Sequence, residues 1–127
     1  MEIKEINTKN APDAIGPYSQ GIKVGQFIFT SGQIPIDPNT GEIVSEDIEY
    51  QAKQCMLNLQ AVLKEAGSSL ENIIKITVFI KDMNDFAKIN SVYENYVKRP
   101  FPARSCVEVA RLPKDVLCEM EAIAVIV

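Results

Sequence analysis

The sequence predicts a two-layer α+β fold in which helices pack on one face of a β-sheet. The predicted elements follow the order strands, helix, strand, helix, strands, whereas a doubly wound fold needs more alternating strand and helix units. The 127 residues are 46% hydrophobic and 24% charged, which is typical of one domain with its own core. No internal repeat, low-complexity segment or linker divides the chain, so we expect a single domain over residues 1–127.

A β-hairpin and a turn are predicted in the first third of the chain. Residues 19–24 and 26–31 flank Gly25, and apolar side chains alternate along the second segment, as they do in paired strands. Residues 37–41, Asp-Pro-Asn-Thr-Gly, combine a proline that fixes φ with residues that tolerate a positive φ. The chain is therefore expected to reverse direction there.

Apolar residues at steps of three and four predict a first helix over residues 48–66. Ser45 is the expected N-cap, and Gly67 is the expected residue just beyond the C-terminus of this helix. Residues 73–80 are rich in β-branched side chains and too few for a stable helix, so they are predicted to form a mostly buried strand.

A second helix and two strands complete the prediction. Asn84 is the expected N-cap of this helix, whose apolar stripe ends at Tyr96, shortly before Pro100. Residues 103–110 and 116–127 are predicted strands joined by a short loop. With helices on one face, the other face of the sheet stays uncovered, and a second copy of the chain is its simplest partner. We therefore expect a homo-oligomer.

Composition and charge exclude several classes of function. The 13 basic and 17 acidic residues give a net charge of −4, which disfavours binding to nucleic acid or to an anionic membrane. Histidine is absent, so imidazole metal sites and His-based catalytic triads are excluded. Cys55, Cys106 and Cys118 have no metal-binding spacing and are odd in number, which favours a reducing, cytoplasmic location. We expect no signal peptide, no metal and no organic cofactor.

The charged residues of the last two strands are the first candidates for a functional site. If these strands pair as a hairpin around Leu112, Arg104 lies opposite Glu119, and a shift of two residues places it opposite Glu121 instead. Arg104 could then bind a substrate carboxylate while Glu119 positions or deprotonates water. A cross-strand ion pair with a purely structural role is the alternative, and the spacing alone favours it.

Two glycine-containing polar segments are further candidates. Residues 16–21 (GPYSQG) and 30–33 (TSGQ) can bring backbone N–H groups and small hydroxyls close to a ligand, although turn chemistry explains most such segments. Tyr18 could donate a hydrogen bond to a ligand or pack over a strand end. Cys106 is a poor candidate for a nucleophile, because neither a histidine nor a clear helix N-terminus is available to activate its thiol.

Five segments, in order and with similar spacing, resemble the Rid (YjgF-like) family of enamine/imine deaminases, and the RidA-like subgroup in particular. They are APDAIGPYSQG, TSGQIP, VFIKDMNDF, PARSCVEVARLPKD and EMEAIA. The resemblance implies a chorismate-mutase-like fold with a mixed β-sheet and two helices on one face. It also implies a homotrimer with its sites in the clefts between subunits.

The family resemblance implies hydrolysis of enamines and imines, such as 2-aminoacrylate and 2-aminocrotonate, to 2-keto acids and ammonia. Pyridoxal-phosphate-dependent dehydratases release these intermediates, which gives a functional link to those enzymes. Arg104 then binds the substrate carboxylate, Glu119 positions and activates water, and Tyr18 completes the catalytic set. The remaining substrate-binding residues implied by the resemblance are Ser31, Gly32, Asn90 and Cys106, the last acting largely through its backbone.

Two other functions stay open at the level of the sequence. A non-enzymatic trimer that binds a 2-keto acid and regulates a partner protein would use the same arginine, and retention of Glu119 favours the enzyme. A ribonuclease or translation inhibitor has been described among family members, but a net charge of −4 and the lack of histidine disfavour RNA cleavage here.

Overall fold

The computed structural model describes all 127 residues as a six-stranded sheet with two α-helices. In chain order the elements are β1 (Ile3–Ile6), β2 (Gly21–Val24), β3 (Phe27–Thr30), α1 (Ile48–Glu65), β4 (Ile73–Ile80), α2 (Phe86–Tyr93), β5 (Ala103–Glu108) and β6 (Cys118–Val125). The strand order is β1-β2-β3-β6-β4-β5, and only β4 and β5 run parallel. The predicted α+β class is confirmed, with a mixed sheet and two helices.

The predicted hairpin is confirmed, because β2 and β3 pair antiparallel on either side of Gly25. Gly25 has a φ of +59°, a conformation that glycine adopts without steric cost. Strand β1, which the sequence pattern did not predict, pairs with β2 and forms one edge of the sheet. Three of its four residues are exposed, so its apolar alternation is weak.

Helix α1 forms where the apolar periodicity predicts it, but its N-cap is Asp47 rather than Ser45. The Asp47 carboxylate accepts hydrogen bonds from the N–H groups of Glu49 and Tyr50 at 3.1 and 3.2 Å. A carboxylate also interacts favourably with the positive end of the helix dipole, which explains its preference for this position. Ser45 supports the cap from outside, since its hydroxyl accepts a hydrogen bond from the N–H of Asp47. Gly67 follows the helix with a φ of +88°.

The start and end of α2 differ from the prediction. Residues 83–85 form a short 3₁₀ turn, and Asp82 caps it by accepting a hydrogen bond from the N–H of Asn84 at 2.9 Å. Asn84 is therefore not the cap. The helix ends at Tyr93, and the N–H of Tyr96 donates to the Tyr93 carbonyl across the following turn. The apolar stripe outlasts the helix because it continues into this turn.

The expected hairpin between the last two strands is wrong. Strand β5 pairs in parallel with β4, which places Arg104 beside Ile76. Strand β6 lies between β3 and β4, where Glu119 is beside Phe79. Helix α2 connects β4 to β5, and a crossover of this kind allows parallel pairing. The apolar residues on both faces of β6 also suit a central strand better than an exposed edge.

The hydrophobic core lies between the sheet and the two helices. Buried and half-buried residues alternate along β6, so that Cys118, Met120, Ala122 and Ala124 face the core. Cys55 of α1 contacts Cys118 with an Sγ–Sγ distance of 3.8 Å, and both are fully buried free thiols. Buried free cysteines of this kind pack as small hydrophobic residues.

The opposite face of the sheet, called the open face below, carries no helix. Phe27 and Phe29 of β3 are 47% and 43% exposed there, and Val107 of β5 is 43% exposed. Large apolar side chains gathered on one exposed face are typical of an interaction surface. No helix in the structure is both long enough and apolar enough to cross a membrane.

Candidate active site

The residues predicted to form the site fall into two clusters on opposite faces of the sheet. Arg104 shares a face with its neighbour Ile76, which is fully buried in the core. Glu119 alternates with the core residues Cys118 and Met120 and therefore projects from the open face. We call the two groups the Arg104 cluster (Asn90, Arg104 and Cys106) and the Glu119 cluster (Tyr18, Ser31, Gly32 and Glu119).

The Arg104 guanidinium is held between β5 and α2 without a carboxylate partner. Its Nη1 donates a hydrogen bond to Oδ1 of Asn90 at 2.7 Å, and its Cζ lies 5.3 Å and 5.0 Å from the ring centroids of Phe86 and Tyr93. No carboxylate oxygen lies within 4 Å of it, so the predicted ion pair with Glu119 does not form within one chain. Four of its five N–H groups remain available to a ligand.

A cavity of about 420 Å³ adjoins this guanidinium. Rings and aliphatic groups supply much of the wall, and the partly apolar surroundings strengthen the attraction between a cation and a bound anion. The cavity is lined by Asn90, Tyr93, Glu94, Val97, Phe101, Pro102 and Arg104. An arginine with free donors in such a cavity is suited to bind a carboxylate through paired hydrogen bonds.

Cys106 lies two residues beyond Arg104 on the same face of β5. Partial burial raises the pKa of its thiol above the ordinary value, and the positive charge of Arg104 offsets only part of this effect. A raised pKa keeps the sulfur protonated and weakly nucleophilic at neutral pH. The structure therefore offers no activated thiolate at this position.

Glu119 is a half-buried carboxylate with no basic partner. No lysine or arginine nitrogen lies within 4 Å of it. Desolvation by burial, followed by the negative charge of Glu121, raises the pKa of Glu119 above its ordinary value of 4.5. A raised pKa increases the protonated fraction of a carboxyl group at a given pH, and shifts in this direction are common among catalytic acids and bases.

Gly32 lies directly against the Glu119 carboxylate. A Cβ atom built on Gly32 would lie 2.8 Å from Cδ of Glu119, closer than side-chain carbons approach in real structures. Here glycine is required by the close approach and not by a positive φ. The main chain at residue 32 thus forms one wall around the carboxylate.

The segments that carry Tyr18 and Ser31 are tied together by hydrogen bonds. The Ser31 hydroxyl donates to the carbonyl of Ser19, and the Ser31 N–H donates to the carbonyl of Gln20 at 2.9 Å. The exposed Tyr18 hydroxyl accepts a long hydrogen bond of 3.4 Å from the N–H of Ile15. These contacts fix the Tyr18 segment beside the backbone of residues 31–32.

A second cavity of about 480 Å³ adjoins the Glu119 cluster and contains no part of the Arg104 cluster. Its lining includes Tyr18 and Gly32, together with Lys9, Ala11, Pro12, Asp13, Ile15, Gln20, Gln33, Ile34, Ile36, Pro38, Gly41 and Lys114. Within one chain, Asn90 and Arg104 therefore line one cavity, whereas Tyr18 and Gly32 line the other.

Three residues that support the site were missed at the level of the sequence. Gln20 is buried, accepts a hydrogen bond from the N–H of Thr8 at 2.7 Å and donates to the carbonyl of Pro12 at 2.8 Å, which shapes the chain leading to Tyr18. Phe86 and Tyr93 contact Arg104 from α2. The apolar stripe of α2 was visible in the sequence, but its contact with Arg104 depends on the parallel pairing of β5, which was not predicted.

Replacing Glu121 by glutamine is expected to lower the pKa of Glu119, because the charge of Glu121 is one of its two causes of elevation. The pKa should stay above 4.5, since burial, the larger cause, is unchanged. A titration of the Glu119 side-chain carboxyl by carbon NMR measures this directly, with Glu65→Gln at the exposed end of α1 as the control. An unchanged Glu119 titration in the Glu121 variant would show that the two carboxylates do not interact.

No three cysteine, aspartate or glutamate side chains of this chain lie close enough together to hold a metal ion. Fold and site thus define a mixed α+β protein with an arginine that lacks a carboxylate partner on one sheet face and a half-buried carboxylate on the other. A family model described as Endoribonuclease L-PSP matches residues 8–126, so the chain belongs to this family.

Similar proteins agree with this assignment. The 2-iminobutanoate/2-iminopropanoate deaminase of Salmonella typhimurium is 56% identical over 125 residues, covering 96% of this chain and 97% of that protein. A Rid-family protein of unknown function from Yersinia pestis superposes with a TM-score of 0.96 at 48% identity, covering 98% and 100% of the two chains. The structure of Escherichia coli TdcF with bound serine superposes with a TM-score of 0.91 at 54% identity, covering 96% of this chain and 98% of that one. The Rid-family resemblance is confirmed.

Proposed function

We propose that this protein hydrolyses enamines and imines of 2-keto acids, such as 2-aminoacrylate and 2-aminocrotonate, to the keto acid and ammonia. The observation that carries the proposal is the Arg104 guanidinium, which has four free donors in a partly apolar cavity and no carboxylate partner. Such a group can form paired hydrogen bonds with a substrate carboxylate. The 56% identity to the Salmonella deaminase, over nearly the whole of both chains, supports the same reaction.

The proposed site lies between subunits of a homotrimer with a chorismate-mutase-like fold. Arg104 and Glu119 are on opposite faces of one sheet and two strands apart, so one chain cannot present both to a three-carbon substrate. Packing of the open face against a second copy would cover Phe27, Phe29 and Val107. Because β5 is an edge strand, the edge that carries the Arg104 cluster of one subunit would then lie beside the Glu119 cluster on the open face of the next.

The reaction needs one water molecule and a series of proton transfers. An enamine gains a proton at its terminal carbon and becomes an iminium ion, and water attacks the iminium carbon and loses a proton to give a carbinolamine. The amino nitrogen of the carbinolamine then gains a proton while its hydroxyl loses one, and ammonia leaves as the ketone forms. In total, 2-aminoacrylate plus water yields pyruvate plus ammonia. Glu119 donates the first proton and, as the resulting carboxylate, removes a proton from the attacking water. Its raised pKa favours the protonated form that the first role needs.

The other predicted residues orient the substrate in this proposal. Arg104 binds the substrate carboxylate while Asn90 fixes the arginine. Tyr18, Ser31 and Gly32 enclose the amino end near Glu119, and the backbone near Cys106 completes the wall. The free intermediate already hydrolyses in water, so one positioned carboxyl group that accelerates the reaction about 10²–10⁴-fold is sufficient. The proposed mechanism uses no cofactor.

The substrates are short-lived, so a source must act nearby. Pyridoxal-phosphate-dependent dehydratases, which remove water from serine or threonine, release enamines of this kind, and we propose that they supply this protein. Its three cysteines are free thiols, which suits a reducing, cytoplasmic compartment.

The proposal is tested by generating 2-aminoacrylate from serine with a dehydratase and following its decay together with the release of pyruvate and ammonia. We expect the protein to accelerate decay with equal yields of the two products. Decay no faster than in buffer would overturn the enzymatic function and favour a trimer that only binds 2-keto acids. Light scattering tests the trimer separately, and a monomer at micromolar concentration would remove the intersubunit site.

Replacing Gly32 by alanine is expected to lower kcat at least about tenfold, because the added methyl group must displace the Glu119 carboxylate. The fold should survive, since the clash is with the end of a flexible side chain and not with the main chain. Gly16→Ala is the matched control, because a Cβ at Gly16 meets the Tyr18 ring at an ordinary 3.5 Å. Equal activity of the two variants would show that the carboxylate tolerates displacement and does not act on the substrate.

A further inference from the structure

We infer that Phe86 and Tyr93 are positioning residues that hold the Arg104 guanidinium between two aromatic rings and thereby set its affinity for a carboxylate. The inference rests on the proposed function, because it concerns the same arginine. Neither aromatic residue touches the reacting atoms in this account. Their role is to orient the group that does.

The two rings lie on one face of α2. Phe86 is the first residue of the helix, Asn90 follows four positions later and Tyr93 three positions after that. Spacings of four and three place side chains on the same side of a helix. All three contact Arg104, so one stripe of α2 supplies every protein group that holds the guanidinium.

The rings bind the charge without using its in-plane hydrogen-bond donors. Cζ of Arg104 lies 5.0 Å from the Tyr93 centroid and 5.3 Å from the Phe86 centroid, within the roughly 6 Å range of cation–π attraction. The one hydrogen bond to Asn90 uses one of the five guanidinium N–H groups, which leaves four without an acceptor in the chain. A carboxylate partner in place of the rings would occupy the donors that the substrate needs.

Arg104 forms no ion pair within the chain, although Glu94 also lines its cavity. No carboxylate lies within 4 Å, and burial raises the pKa of the Tyr93 hydroxyl above its ordinary value of 10.0, so Tyr93 stays uncharged. An unrestrained arginine side chain samples many rotamers. If ligand binding has to fix one of them, the lost conformational entropy lowers the affinity for the ligand. The two rings and Asn90 restrict the side chain before the ligand arrives.

Phe86 provides the informative variant because it is 37% exposed, whereas Tyr93 is only 7% exposed and belongs to the core. Phe86→Leu keeps an apolar side chain but removes the ring face, and Phe86→Tyr keeps the ring. Tyr93→Phe keeps the ring and removes a buried hydroxyl that has no hydrogen-bond partner. Pentafluorophenylalanine at position 86 keeps the shape of the ring but reverses its electrostatic attraction for a cation.

The test is calorimetric titration of the full-length protein with 2-ketobutyrate, followed by kcat and KM measurements on the deaminase reaction. We expect Phe86→Leu and the fluorinated residue to raise the Kd of the keto acid about fivefold to tenfold. Phe86→Tyr and Tyr93→Phe should stay within about twofold of wild type, and kcat of Phe86→Leu should also stay within about twofold. Circular dichroism confirms that each variant is folded.

An unchanged Kd in Phe86→Leu, or in the fluorinated protein, would overturn the inference even if the deaminase activity is confirmed. A loss in Phe86→Tyr equal to that in Phe86→Leu would overturn it too, because the ring would then not be the feature that matters. Conversely, a protein that fails to accelerate decay of 2-aminoacrylate, but shows the expected Kd pattern, would refute the proposed enzyme and retain the positioning role.

Discussion

Replacing Glu119 by glutamine is expected to lower kcat for 2-aminoacrylate hydrolysis by about 10²–10⁴-fold, the usual contribution of a general acid–base group. The amide keeps the size of the side chain but can neither donate the proton to carbon nor remove one from water. Substrate binding should change little, because in the proposed site Arg104 of the neighbouring subunit makes the carboxylate contact. The effect should therefore appear in kcat with KM nearly constant.

The fold of this variant can be checked through the pH dependence of its stability. Since the folded-state pKa of Glu119 is raised, the protonated form is favoured by folding, and the native state loses stability as pH rises through that pKa. Glu119→Gln should thus unfold at a higher temperature than wild type at neutral pH, and this gain should vanish below pH 4.5. Full activity in a folded Glu119→Gln protein would show that another group, or water itself, carries out the proton transfers.

Replacing Arg104 by alanine is expected to raise KM at least about 100-fold, because a paired contact between guanidinium and carboxylate supplies two charge-assisted hydrogen bonds. Arg104→Lys should recover little of this loss, since an ammonium group lacks the planar, two-pronged geometry. Titration with 2-ketobutyrate should show a similar loss of affinity, seen as a Kd raised at least about 100-fold. The matched control is Arg111→Ala, which removes an exposed arginine whose only partner is Asp115.

Unchanged binding of the keto acid in Arg104→Ala would contradict the carboxylate-binding role. A loss of equal size in Arg111→Ala would contradict it as well, because net charge rather than the cavity would then determine binding. The control variant should behave like wild type.

Much of the fold could be predicted from the sequence because its signals are local. Glycine between two alternating segments predicts the β2–β3 hairpin, and the three- and four-residue periodicity predicts α1 almost to its ends. The N-cap was misassigned by two residues because serine and aspartate at positions 45 and 47 are both good caps, and only the backbone geometry decides between them.

The pairing of β5 was beyond local reasoning. The pairing of distant strands depends on which partner buries more apolar surface. The sequence allowed β5 to pair with either β4 or β6, and in the structure it pairs with β4. The wrong pairing also gave a wrong arrangement of the site, since the predicted hairpin would have placed Arg104 and Glu119 next to each other in a single chain. The residue types were informative, but their placement on opposite faces followed only from the strand order.

In the proposed site, Arg104 from one subunit and Glu119 from another act on the same substrate. The most direct measurement is co-expression of Arg104→Ala and Glu119→Gln chains with two different affinity tags, isolation of mixed oligomers that carry both tags, and assay with 2-aminoacrylate. In a cyclic trimer that contains both chains, one of the three sites receives the intact Arg104 and the intact Glu119, so we expect about one third of wild-type activity. Mixed oligomers no more active than either parent would contradict the shared site.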